Sequence, residues 1–442
     1  MMGIMAGLTC IDLFAGAGGM SAGFSSVGFE PLFANECDSE AARTYTLNHP
    51  STVINSQDIC DLEPHSIRED LGLLPEDVDV LIGGPPCQGF STYGARDVND
   101  PRSLLPSEYL RFLVAFRPKA FVMENVVGLV SIQGGRILEH IVSSAEKAGY
   151  TTKVFTLNAA DFGVPQTRRR VFVTGILGRG VPVHPSVTHK KPTSAEVPKQ
   201  ASFADVLGPG LPAWTTTRDA IGSLADVPVR QPKETQQADT YPSGMVERRY
   251  EQYIRDESER LLHHSSKRML GIRRLRLSLL RPGDYGAKLE SRIRKGGLSA
   301  SAINEILEGG GATRPIDECR LEDRQKEKKL REHLSRGKLD LEELLKQLDP
   351  GGFKNKYRRL EWTRPSHTLV AHMARDCSDF VHPDKDRFIS VREAARLQSF
   401  KDTYRFSGSQ FRQFKQIGNA VPPMLAAALA RELKSNLNLG DQ

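Results

Sequence analysis

Cysteine is scarce in this 442-residue chain: Cys10, Cys37, Cys60, Cys87, Cys319 and Cys377 stand far apart, and no two form a CxxC pair. That spacing argues against a zinc site and a disulfide framework, and for a reducing cytosol. Long apolar runs are missing too, none approaching the ~18 residues a membrane span requires. The first eight residues carry no basic group, so no secretory leader is expected. No segment repeats at a fixed period. Net charge is only +6, which permits a polyanionic partner without establishing one. What is present, 39% hydrophobic and 26% charged residues, describes an ordinary soluble protein, long enough for about two or three domains.

Residues 8 to about 175 read as repeated strand-then-helix units, the pattern of a parallel sheet covered by helices. Strands are expected at 8–14, 31–35, 52–55, 78–82, 120–124, 150–158 and 170–176, with helices at 39–48, 109–117 and 135–148. From about 177 the pattern is lost. Residues 267–295 hold ten Lys or Arg against two acids. Residues 317–349 mix both signs, with leucines at Leu321, Leu330, Leu334, Leu341, Leu344, Leu345 and Leu348, which predicts two short exposed helices. A globular pattern returns near the end, with helices expected at 390–400 and 422–433.

The motifs sit at expected strand ends, where open α/β sheets bind ligands. Asp12-Leu13-Phe14-Ala15-Gly16-Ala17-Gly18-Gly19 closes the first strand and opens a helix, and its glycines allow close backbone approach. Asn35-Glu36-Cys37-Asp38 ends the second strand, where an acid suits a ribose diol. Gln57-Asp58-Ile59 follows the third, where an acid could hold an adenine amino group. Together they favour a nucleoside cofactor, and the absence of a GxGxxG turn leans away from a dinucleotide. After the fourth strand comes Gly83-Gly84-Pro85-Pro86-Cys87, a stiff loop presenting one thiol. That thiol is either a buried structural cysteine or a nucleophile, if a neighbour favours the thiolate. The double proline resembles enzymes that methylate exocyclic amines, but Gly84 replaces their polar acceptor and Cys87 their aromatic. Glu124 ends the fifth strand, a costly place for a carboxyl unless it is paired or protonated. In Gln166-Thr167-Arg168-Arg169-Arg170, alternate residues 166, 168 and 170 would share one face of an extended segment, able to grip a carboxylate or phosphate.

With these residues in view, the chain resembles the DNA (cytosine-5)-methyltransferases. DLFAGAGG at 12–19, NECD at 35–38, GPPCQGFS at 84–91, ENV at 124–126, QTRRR at 166–170, REAARLQSF at 392–400 and QIGNAVPP at 416–423 occur in the family's order. The resemblance covers about 1–176 and 353–442. It implies a Rossmann-like S-adenosylmethionine-dependent fold, a mostly parallel sheet with helices on both faces, plus a smaller mixed target-recognition domain. The implied domains are 1–180 for catalysis and cofactor, 181–410 for target recognition with the charged insert, and 411–442 returning to the first.

The resemblance also implies site residues. Cys87 would attack cytosine C6, Glu124 hold the base edge, Arg168 orient Glu124 or the base, and Arg170 add a second contact. Phe14, Gly16, Ala17, Gly19, Glu36, Cys37, Asp58, Ile59, Pro86, Asn419 and Ala420 would line S-adenosylmethionine, leaving S-adenosylhomocysteine as product, with no metal. Cys37 and Ala420 depart from the aromatic and serine of many relatives, which bears on cofactor affinity. DNA contacts would come from Gln88, from Ser91, Arg96 and Arg102 in a closing loop over 90–102, and from Gln166 and Thr368. The implied partners are double-stranded DNA, with the target base flipped out, and a cognate restriction or defence system acting on the same DNA. A cytosolic, nucleoid-associated monomer with no membrane contact is expected. The basic stretch at 267–295 suits phosphate contacts or forms a solvated helix face, while the acids of 317–349 would repel phosphate. An RNA cytosine methyltransferase and a non-catalytic DNA-binding relative stay open as alternatives; the long middle and the intact Cys87, Glu124 and Arg168 argue against them.

Overall fold

The computed structural model describes residues 7–86, 105–192, 210–230, 239–241, 249–255, 260–266, 269, 271–295, 299–308, 321–337, 340–349, 356–375 and 377–439. The sheet strands are β1 (Leu8–Leu13), β2 (Phe29–Asn35), β3 (Val53–Asn55), β4 (Val80–Gly83), β5 (Ala120–Val126), β6 (Tyr150–Asn158) and, after a two-residue β7 (Gln166–Thr167), β8 (Arg169–Leu177). Their order is β3-β2-β1-β4-β5-β8-β6. Only β8 is reversed; it pairs antiparallel with both β5 and β6. This is the mostly parallel sheet expected.

Alternation within each strand builds two cores. Ile11, Leu13, Leu81, Phe121 and Met123 face one side, and Cys10, Val80, Ile82 and Val122 the other. Strands buried on both faces therefore read as continuous apolar runs. On the first side pack α3 (Pro64–Asp70), α4 (Leu105–Phe116) and α5 (Arg136–Lys147). On the second, α1 (Gly19–Ser25) packs against the terminal helix Pro423–Leu439. Gly23 permits this contact, because a Cβ there would lie 2.5 Å from the Pro423 carbonyl. Between β2 and β3 runs α2 (Ser39–Asn48), capped by the Asp38 carboxylate.

Beyond residue 210 regular structure is short: α6 (Thr217–Ile221), α7 (Arg249–Arg255) and the two-residue strands β9 (Asp239–Thr240), β10 (Arg260–Leu261) and β11 (Ser366–His367). Of these, α6 and α7 share an apolar core with Leu360, Phe380, Ile389, Phe400 and Ile417, and Ala17 of the first turn belongs to it. β11 runs parallel to β7.

A separate helical core joins α8 (Gly271–Leu279), α9 (Leu289–Lys295), α10 (Ala300–Glu308), α11 (Leu321–Ser335) and α12 (Leu341–Leu348). The two helices expected in the charged insert exist as α11 and α12, but they are not merely solvated. Leu330, Leu344 and Leu348 are buried, and so are the acids Asp323 and Glu327. Asp323 pairs with Arg276 at 2.7 Å and Arg273 at 3.0 Å, and Asp284 with Arg292 at 2.6 Å. Acid and base neutralise each other within the fold, Asp323 reaching arginines 47 and 50 residues away, so these arginines are not presented to phosphate. The chain ends with α13 (Val391–Leu397), α14 (Gln410–Asn419) and α15 (Pro423–Leu439).

Candidate active site

Two turns meet where the strand order reverses. β1 lies between β2 and β4, the switch point at which doubly wound sheets open a ligand crevice. In the turn after β1, Phe14, Gly16 and Gly18 take left-handed backbone, with φ of 55°, 57° and 83°. A Cβ on Gly18 would lie 2.8 Å from the Tyr404 hydroxyl, and one on Gly19 would lie 2.4 Å from the Val421 carbonyl. Those glycines serve packing from beneath. A Cβ on Gly16 would meet nothing within 4 Å, so this side of the turn is an open cradle. Ala17 is buried, and its carbonyl accepts from the Tyr404 hydroxyl. Below the turn, buried Asp12 accepts from Ser21 Oγ at 2.6 Å, and that oxygen lies 2.8 Å from the Tyr45 hydroxyl. Burial, and secondarily the charge of Glu36, pushes the Asp12 carboxyl up to about 7.

The next strand ends follow in order. Glu36 accepts from the backbone N–H of Gly16 at 2.8 Å and of Asp38 at 2.7 Å, and burial raises its pKa. Each oxygen keeps a second lone pair for a ligand hydroxyl. Asn35 ties this corner down by donating to the carbonyls of Asn55 and Gln57. Asp58 is exposed and caps the short turn Ile59–Asp61 through the Cys60 N–H. The Ile59 side chain is buried in the core, so only its backbone can serve a ligand. Cys37 is exposed beside Glu36. An open glycine cradle, an acid at the second strand end and an acid at the third would fit a nucleoside cofactor.

The second turn is bolted to its neighbours. A Cβ on Gly83 would lie 2.6 Å from the Leu13 carbonyl, and one on Gly84 would lie 3.1 Å from Glu124 Oε2. Asn125 Nδ2 donates to the Pro85 carbonyl at 3.0 Å. Pro86 is half-buried and immediately precedes Cys87. Cys87, Gln88, Ser91, Arg96, Arg102 and the expected closing loop lie outside the described residues. Glu124 is paired: its Oε1 lies 3.0 Å from Arg170 Nε, both side chains nearly buried. Because Arg170 stands opposite Val126 in the β5–β8 ladder, the pair is a diagonal cross-strand contact.

Three residues with expected site roles have partners within the protein. Arg168 does not reach for Glu124; its guanidinium is buried and donates to the carbonyls of Leu369 and Gly418. Gln166, expected as a DNA contact, is turned inward. It is fully buried, donating to the Leu397 carbonyl and to Gln398, and accepting from the Leu369 N–H. Thr368 gives its proton to the Thr167 carbonyl at 2.7 Å instead of to a phosphate. In each case a second segment of the chain covers the face that looked ready for a ligand. Asn419 is exposed, while Ala420 is buried and its carbonyl accepts from Gln398. Asn125 and Gln398 stood inside the quoted motifs without an assigned role; Tyr404 had no local signal at all.

Comparison with known proteins follows the same lines. The family model for C-5 cytosine-specific DNA methylase matches residues 8–435. Among curated proteins, the type II methyltransferase M.AgeI of Thalassovita gelatinovora is 52% identical over 427 residues, 96% of this chain and 98% of that protein. The type II methyltransferase M.DdeI of Desulfomicrobium norvegicum is 32% identical over 448 residues, 98% and 90% of the two chains. Among solved structures, an E. coli prophage protein described as a DNA modification methyltransferase aligns with a TM-score of 0.66 at 22% identity, over 98% of this chain and 99% of that one. That likeness supports the fold.

Proposed function

The chain belongs to the C-5 cytosine-specific DNA methylase family, and on that premise we propose that it methylates cytosine through attack by Cys87 on a base flipped out of double-stranded DNA. S-adenosylmethionine, when bound, supplies the electrophilic methyl group. Gly16, Ala17, Glu36, Asp58 and the Ile59 backbone would hold it, with Phe14, Cys37, Pro86, Asn419 and Ala420 around it.

Cytosine C5 is a weak nucleophile because the ring is neutral and aromatic. Addition of the Cys87 thiolate to C6 breaks that aromaticity and gives C5 enamine character. Glu124 would hold the N3 and amino edge of the ring as charge develops there, and Arg170 would fix the carboxyl facing Gly84. Once C5 carries the methyl group, loss of its proton and expulsion of the thiolate restore the ring. The observation that most supports this reading is the Glu124–Arg170 pair at 3.0 Å, aimed at Gly84, three residues before the thiol. A glycine is needed there, because a side chain would meet the carboxylate.

Residues 181–410 would carry target recognition, docking in the major groove, where base pairs are distinguishable. The type II names of the relatives support a place beside a restriction endonuclease or other defence against foreign DNA. A cytosolic monomer acting on the nucleoid belongs to the same reading; no described helix is long and apolar enough to cross a membrane.

Bisulfite sequencing of DNA from cells expressing the protein, beside a Cys87→Ser version, tests the reaction. Protected cytosines are expected at one short sequence with the wild type and nowhere with the variant. Glu124→Gln should lower the methyl-transfer rate on the order of 100-fold. Unprotected DNA in the wild type would overturn the reading.

A further inference from the structure

We propose that Gln166, Arg168 and Gln398 form a latch that holds residues 418–420 against the glycine turn, making them positioning residues for the cofactor pocket; this rests on the cofactor reading above.

The latch begins with a buried cation. Arg168 is 1% exposed, and a buried guanidinium is costly unless its donors are met. Here both Nη atoms are met, Nη1 donating to Leu369 O at 2.6 Å and both donating to Gly418 O at 3.2 Å, while Nε has no partner among the described residues. Those carbonyls lie 201 and 250 residues away in sequence. Gly418 sits in the last turn of α14, where carbonyls lack intrahelical partners and the helix dipole favours a cation. One side chain therefore joins the start of β8 to two remote segments.

A second strap runs beside it. The Leu369 N–H donates to Gln166, Gln166 donates to Gln398, and Gln398 donates to the Ala420 carbonyl. All three side-chain amide and guanidinium groups are buried. The segments they join are packed with no slack: a Cβ on Gly418 would lie 2.4 Å from the Val370 carbonyl carbon. On the far side the wall meets the cofactor turn, since a Cβ on Gly19 would lie 2.4 Å from Val421 O and 3.2 Å from Ala420 Cβ.

The two arginines of the motif thus divide the work. Arg170 holds Glu124; Arg168, two residues earlier, holds the wall of the cofactor turn. Loosening the latch lets the 420–421 wall retreat from Gly19 while leaving the Glu124–Arg170 pair in place. Cofactor affinity should fall, and the chemical step at saturating cofactor should not.

The test uses Arg168→Lys, which keeps the charge but cannot bridge two carbonyls, and Gln398→Met, which keeps the volume without the hydrogen bonds. Titration calorimetry of the full chain with S-adenosylhomocysteine should show affinity weakened about tenfold in each. Single-turnover methyl transfer at saturating S-adenosylmethionine should stay within about threefold of wild type. Unchanged affinity overturns the latch, whether the single-turnover rate collapses (Arg168 then acts at the base) or only the melting temperature falls. If Arg168→Lys does not fold, Gln398→Met alone decides. A wild type that binds S-adenosylhomocysteine but methylates no cytosine would sink the proposed reaction and leave the latch standing.

Discussion

In the sheet region Asp12 is buried beside neutral partners, Ser21 and Tyr45, and burial raises its carboxyl to about 7. In the region beyond residue 210 Asp402 is buried as deeply, yet there the outcome reverses. Burial pushes it up, but the guanidiniums of Arg396 and Arg392 more than offset this and hold it below the ordinary carboxylate range. Arg396 grips both of its oxygens, at 3.0 and 2.6 Å. Glu393 is likewise buried and held low, chiefly by Arg387.

The difference follows from where each region finds partners for its backbone. In the sheet, ladders satisfy the buried carbonyls, and the core is free to be apolar. Later in the chain the described strands are two residues long, and buried arginines take over. Arg392 donates to the carbonyls of Leu262, Lys401 and Tyr404. Arg359 donates to those of Leu277, His382 and Lys385. A guanidinium has five donors in a rigid fork, so one side chain can close several irregular segments at once, and carboxylates such as Asp402 balance the buried charge.

Removing one such arginine should do the most damage. Arg396→Met takes the closest cation from buried Asp402, leaving it the Tyr241 hydroxyl and Arg392 at 3.7 Å, and urea denaturation should show a loss of about 3 kcal/mol. A loss indistinguishable from that of a surface substitution would break the comparison. Next comes the opposite pH behaviour of the two carboxylates. Asp12 has a raised pKa in the folded state, so its contribution is complete below the unfolded value of 3.8 and is lost as pH rises through about 7. Between pH 5 and 8 the wild type should lose about 2–3 kcal/mol relative to Asp12→Asn. Asp402, held low, contributes above its ordinary pKa and loses that contribution as pH falls. Melting curves for wild type and Asp12→Asn that run parallel across this range would show that Asp12 is not perturbed. The smallest effect is expected where charge is solvated. Arg294 touches Glu290 and Glu342 on an exposed face, and Arg294→Ala should leave the melting midpoint unmoved at moderate salt.

How much of this was legible follows the same division. Strand ends carrying Gly16, Glu36, Gly84 and Glu124 could be placed from local apolar runs and glycine turns, since both are short-range signals. The charged insert was read as two helices correctly but as exposed wrongly, because nothing local says that Asp323 will meet Arg276. For residues 166–170 the two-residue alternation identified a face with Gln166, Arg168 and Arg170 on it. It could not say that residues 369, 398 and 418 would cover part of that face.

By itself, then, the sequence determined the sheet, the order of the turns at its strand ends and the thiol that follows Pro86, because periodicity and turn chemistry act over a few residues. Tertiary structure alone decided which arginine serves Glu124 and which holds the wall of the cofactor turn. Arg168 and Arg170 are chemically identical and two positions apart. Only the arrival of carbonyls from 201 and 250 residues away makes one a strut and leaves the other at the site.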